Sequence, residues 1–119
     1  MSKIAMVVQD DPAVRRLLRL RLEREGVQVV EALTARQALA IYAERGPEIG
    51  VVVSGVRMAG LDGEDLLAAL RESDPDVRVF FFTSSPPDTD LPEGVSVFEK
   101  PHGLGDLLQA VRELIPTAA

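Results

Sequence analysis

Seven positions could bring reactive groups together, and they follow short apolar runs in the chain. Gln9, Asp10 and Asp11 follow the first run, Ser54 and Gly55 the third, Thr83 the fourth and Lys100 the fifth. Carboxylates beside a hydroxyl and an ammonium suit phosphoryl chemistry. Carboxylate oxygens hold Mg²⁺, and the metal neutralises phosphate oxygens. Thr donates a hydrogen bond and Lys supplies a point charge. Each element alone is unspecific, because Asp-Asp-Pro also starts helices and a Thr or Lys after a strand is commonly solvated. Other chemistries fall away on composition. With no cysteine there is no disulfide framework, thiolate metal site or thiol nucleophile, and the single histidine, His102, cannot build a histidine cage.

These positions acquire meaning through the elements that carry them. Ile4–Val8 is a continuous apolar run of strand length, as expected for a strand buried on both faces. Asp11-Pro12 reads as an N-cap with proline at the first helical position. Val14, Leu17, Leu18 and Leu22 form a helical stripe, and Gly26 stops it. The second strand spans 27–31 and is polar enough to lie at an edge. Thr34 and Gln37 form a capping box for a helix through Ala38, Leu39 and Tyr42 to Gly46-Pro47. Ile49 to Ser54 is the third strand. Asp62 caps a helix carrying Leu66, Leu67 and Leu70, which Asp74-Pro75 ends. Val77 to Phe82 is the fourth strand and Val95 to Glu99 the fifth. Between them, residues 84–94 hold three prolines, which no helix of useful length accommodates. Leu104, Leu107, Leu108, Val111 and Leu114 form the last helix, stopped by Pro116.

Strands alternating with helices imply an α/β fold, a (βα)5 sandwich with a five-stranded parallel sheet and the fourth helix short or missing. In such a sheet, chemistry belongs at the C-terminal ends of the strands, which selects the seven positions above. The 119 residues are read as one domain, 1–119. Hydrophobic residues make up 46% and charged residues 27%, which excludes a disordered tail. No apolar run approaches the ~20 residues of a membrane span. Met1-Ser2-Lys3 leads into a run of only five apolar residues before Gln9, too few for a signal peptide, so the cytoplasm is the expected compartment. A net charge of −6 gives no footprint for nucleic acid. The charge is uneven, since Arg15, Arg16, Arg19, Arg21 and Arg24 fall within ten residues. Such a run is ordinarily a solvated helix face.

Four segments together resemble the receiver domain of two-component response regulators. They are Val7-Val8-Gln9-Asp10-Asp11-Pro12, the stretch from Val56 to Gly63, Thr83, and Glu99-Lys100-Pro101. The resemblance covers nearly the whole chain and implies the CheY-like, flavodoxin-like fold. It also implies an acidic pair after the first strand, at Gln9 and Asp10, with Asp11 at the helix-capping position. The phospho-accepting aspartate of the family would stand at Gly55. Shifting the register by one reaches Ser54 or Val56, so no slip restores it. Thr83 and Lys100 match the switch hydroxyl and the lysine, and Lys100-Pro101 matches the family's cis peptide.

The departures carry the functional reading. Gly55 offers no nucleophile and Gln9 no charge, which leaves Asp10 as the one carboxylate of three around Mg²⁺. The expectation is therefore no metal, no cofactor and no catalytic residue. Lys100 is then expected to pair with Asp10. Ala59 replaces a proline usual in the family's loop. The switch aromatic falls on Val97, with Phe98 one residue late and facing the other side of the sheet. Ser54 is a conceivable substitute acceptor, but it lacks a base and projects from another side of the strand. A flavodoxin-like cofactor binder is disfavoured because no Gly- and Ser/Thr-rich loop follows the first strand. The resemblance thus implies a stand-alone, non-enzymatic degenerate receiver acting by phosphorylation-independent protein contact. The alternative is a receiver phosphorylated at a non-standard residue and acting in phosphotransfer. Expected partners are a histidine kinase, a phosphotransfer protein or another receiver, with homodimers allowed, and neither nucleic acid nor membrane. The first helix and the proline-rich segment are the candidate contact surfaces.

Overall fold

The computed structural model describes residues 3–58, 60–86 and 91–116. Five strands form one parallel sheet: β1 (Ile4–Val8), β2 (Gln28–Ala32), β3 (Ile49–Ser54), β4 (Val79–Thr83) and β5 (Val95–Glu99). Their order is β2-β1-β3-β4-β5, with every neighbouring pair parallel. The helices are α1 (Pro12–Arg24), α2 (Ala35–Arg45), α3 (Gly63–Ser73) and α4 (Leu104–Leu114), with a 3₁₀ turn at Gly46–Glu48.

Alternation along the buried strands splits the core into two layers. Met6, Val8, Val52 and Phe81 meet α2 and α3 through Ala38, Leu66 and Leu70. Ala5, Val7, Val51, Val53, Phe80 and Phe82 meet α1 and α4 through Leu18, Leu22, Leu107 and Val111. The parallel sheet covered on both faces is as expected, and so is β2 at the edge.

Several local expectations shift. β2 runs one residue later because the Val27 amide bonds back to the Leu22 carbonyl, closing the turn after α1. β4 likewise starts at Val79, since the Val77 amide is taken by Asp74 O. Leu17 leaves the predicted apolar stripe and is 42% exposed, because α1 turns Leu18 and Leu22, with Val14 partly buried beside them, into the core. Asp11 caps α1 as expected, accepting from the Ala13 and Val14 amides. Asp62 stands at the start of α3 but does not cap it: its carboxylate accepts from the Met58 amide at 3.2 Å and closes the preceding loop. Thr34 caps α2, while Gln37 reaches back to the Leu33 amide. Between β4 and β5 no described residue is helical; residues 87–90 of the proline-rich segment, and Ala59 in the loop before α3, lie outside the described residues. Among the described residues no helix is long and apolar enough to cross a membrane.

Candidate functional site

Parallel pairing carries all the candidate positions to one edge of the sheet. Three backbone hydrogen bonds extend the pairing one step past the strands: Gln9 N–H to Ala32 O, Gly55 N–H to Val8 O, and Lys100 N–H to Thr83 O. Gln9, Gly55, Thr83 and Lys100 therefore start their loops side by side at the C-terminal edge.

The closest of these contacts joins Gln9 and Gly55. Gln9 is 3% exposed. A Cβ built on Gly55 would lie 3.0 Å from both Nε2 and Oε1 of Gln9 and 3.3 Å from its Cδ. The Gln9 amide thus lies in the space a side chain at residue 55 would need. Among the described residues its Nε2 is buried with no hydrogen-bond partner. Arg15 fixes the backbone here, donating to the Gln9 carbonyl at 2.8 Å.

The Gly55 carbonyl meets the start of α3. A Cβ on Gly63 would come within 2.2 Å of Gly55 O and 2.8 Å of the Phe81 ring, so only glycine permits this approach. The Gly63 amide bonds to Val56 O at 2.8 Å, and Val56 and Met58 are buried. Ser54 is fully buried and its hydroxyl donates to Gly55 O at 2.8 Å, as befits a side chain pointing into the sheet interior.

The other groups are turned toward local partners. Asp11 is occupied at the cap, while Asp10 is exposed. Thr83 is 6% exposed, and its hydroxyl oxygen accepts from the Ser85 amide at 3.0 Å and faces Ser85 O at 3.3 Å. The Lys100 ammonium lies 5.6 Å from the centre of the Phe82 ring, and the Lys100–Pro101 peptide is cis. Val97 packs with the α2/α3 layer. Phe98 packs with the α1/α4 layer, its ring edge-on to Phe80 at 5.3 Å. The one-residue offset does put the aromatic on the opposite face.

The arginine run divides. Arg15 and Arg19 both reach Glu31 on β2, at 3.6 and 3.4 Å, and Arg19 also pairs with Glu23. These two tie α1 to the edge strand, a link invisible until Glu31 is placed beside the helix. Arg16 and Arg24 are exposed, next to Leu17 and Leu20, which are 42% and 46% exposed. The Gln9–Gly55 contact was equally hidden, because it crosses from β1 to β3. Among the described residues no group of three His, Cys, Asp or Glu could hold a metal ion.

Residues 5–112 match the family described as "Response regulator receiver domain". Sensor kinase CckA of Brucella abortus (strain 2308) is 34% identical over 96% of this chain, which covers 13% of that kinase. Response regulator receiver protein CpdR of the same organism is 27% identical, with 98% of this chain and 99% of that protein covered. A crystal structure of a response regulator receiver domain protein from Clostridium thermocellum shares the fold at TM-score 0.86 and 24% identity, covering 95% of this chain and 94% of the other. The chain spans 13–26% of the length of the curated relatives that are 31–35% identical to it.

Proposed function

The chain belongs to the response regulator receiver domain family, and on that premise we propose that it is a degenerate receiver that signals by binding proteins without a phosphate cycle. The observation that carries this reading is the Gln9 amide packed over Gly55, where family resemblance places the first acidic residue and the phospho-acceptor. A glycine has no oxygen to attack phosphorus. The neutral amide holds the space in which an acceptor carboxylate would stand.

The residues do not fit Mg²⁺. The family's metal needs carboxylates, since Mg²⁺ dehydrates reluctantly and takes hard oxygen ligands. Gln9 and Gly55 supply none and Asp11 is engaged by two amides of α1, which leaves Asp10. Thr83 and Lys100 stand in the family's switch positions, but their contacts with Ser85 and Phe82 make them parts of the scaffold.

Partners are then a histidine kinase, a phosphotransfer protein or another receiver. The exposed face of α1, with Leu17 and Leu20 beside Arg16 and Arg24, offers an apolar centre with a basic rim, which suits an acidic partner. The test is incubation with acetyl phosphate and Mg²⁺, read by intact mass. An unchanged mass with partner binding intact is the expected result. A gain of one phosphate overturns the reading in favour of phosphotransfer at a non-standard residue.

A further inference from the structure

The opposite end of the sheet carries a second site. The C-terminal turn of α3, the turn into β4 and the start of β5 enclose a half-open cleft of about 430 Å³, lined by Arg71, Pro75, Asp76, Arg78, Glu93 and Gly94. That volume falls in the range of small-ligand pockets, ~300–1,000 Å³.

Arg71 is anchored in its wall. Its guanidinium donates to Pro75 O at 3.2 Å and to Glu93 O at 2.5 Å, which ties α3 to the segment entering β5. Its Nε is buried and has no acceptor among the described residues. An arginine held this way keeps its geometry but leaves one donor to be completed by water or a ligand. Arg78 is exposed, and no ion pair involves it among the described residues. The two side chains meet over Gly94: a Cβ there would lie 3.5 Å from Arg71 Nη2 and 3.6 Å from Arg78 Cδ. Gly94 has φ +88°, so the backbone itself selects a residue that leaves this space open.

The geometry points to a binding site for a small oxyanion, a phosphate or carboxylate group gripped between Arg71 and Arg78. Planar guanidinium forks match such groups. Asp76 and Glu93 line the same cleft, so its formal charges sum to zero. That balance favours a compact anion of one or two charges over a polyanion. The site lies at the N-terminal ends of β4 and β5, away from Gln9 and Gly55, and is independent of the proposed signalling mode.

The test is titration of the whole chain with inorganic phosphate and, separately, acetate at fixed ionic strength, by calorimetry and NMR. The expected result is saturable binding of at least one anion, with movement of the Arg71 Nε–H resonance. Arg78→Glu should weaken it about tenfold or more. Arg16→Glu, the same charge change on α1, should leave it unchanged. Preference for phosphate assigns a phosphate-bearing ligand, and preference for acetate a carboxylate. Failure of both to saturate, equal weakening by the two variants, or a stationary Arg71 resonance overturns the site.

Discussion

At the scale of single residues, Gln9 and Gly55 behave as one unit. A carboxylate introduced by Gly55→Asp would have to displace a buried amide, because its Cβ would start 3.0 Å from that group. Overpacking of this kind costs about 1–3 kcal/mol. The single substitution is therefore expected to lower the melting temperature and to gain no Mg²⁺ response. Gln9→Asp with Gly55→Asp shortens the obstructing side chain and supplies two carboxylates beside Asp10. This double variant should be less stable than the parent without metal, through like-charge crowding, and should regain stability with millimolar Mg²⁺. The parent should melt at the same temperature with and without Mg²⁺. A specific stabilisation of the parent that vanishes in Asp10→Ala would contradict the metal-free reading.

At the scale of elements, α3 is held at both ends by contacts that tolerate little change. At its start, Gly63→Ala would drive a methyl into the Gly55 carbonyl at 2.2 Å, and a loss of about 3 kcal/mol is expected in denaturant unfolding. Just past its end, Tyr42 of α2 donates to the Asp74 carboxylate at 2.6 Å. Burial, and then the Asp74 carboxylate, push the Tyr42 hydroxyl well above the ordinary tyrosine range. The neutral phenol is therefore the form that the fold stabilises. This contribution is complete below the unfolded-state pKa of about 10 and is lost as pH rises beyond it. Tyr42→Phe should cost about 1–2 kcal/mol at neutral pH and remove that alkaline component. Because the chain has one tyrosine and no tryptophan, tyrosinate absorbance reports Tyr42 alone. Element types, their order and most boundaries were legible in the sequence, since β-branched runs and helical stripes report local burial directly. Leu17 was misplaced because periodicity identifies an apolar face but not how much of it a sheet can cover. Asp62 was misread for a related reason: an acid before a helix has two amide sets within reach, and the loop amide of Met58 won. That Gln9, Gly55, Thr83 and Lys100 begin their loops at one edge of the sheet was readable from the strand ends. The amide over Gly55 and the cleft under β5 were not, because each brings together residues from separate elements.

At the scale of the whole molecule, the basic residues of α1 fall into two sets. Within the acidic chain, α1 keeps Arg16 and Arg24 exposed beside two leucines, while Arg15 and Arg19 are drawn to Glu31. Partly exposed ion pairs such as these contribute about 0–1 kcal/mol, so their role is to seat the helix against the edge strand. Arg16→Glu with Arg24→Glu should therefore weaken partner binding and flatten its salt dependence, with folding stability almost unaltered. Arg15→Glu with Arg19→Glu should instead act on the α1–β2 seam and lower stability. Affinity measured at low and high salt, beside thermal melts, separates the two pairs. If the Arg16 and Arg24 reversals leave both affinity and salt slope unchanged, α1 is a solvated face and the partner docks elsewhere.

The fit between Gln9 and Gly55 also bears on descent. If an ancestor carried carboxylates at both positions, the route back is obstructed at each first step. Restoring the acid at residue 55 strikes the amide, while restoring the one at residue 9 buries a charge facing a residue that cannot answer it. Both intermediates are less stable than the present pair. Selection for fold alone would then keep the pair as it is, as a ratchet that makes the loss self-preserving long after the reason for it has gone.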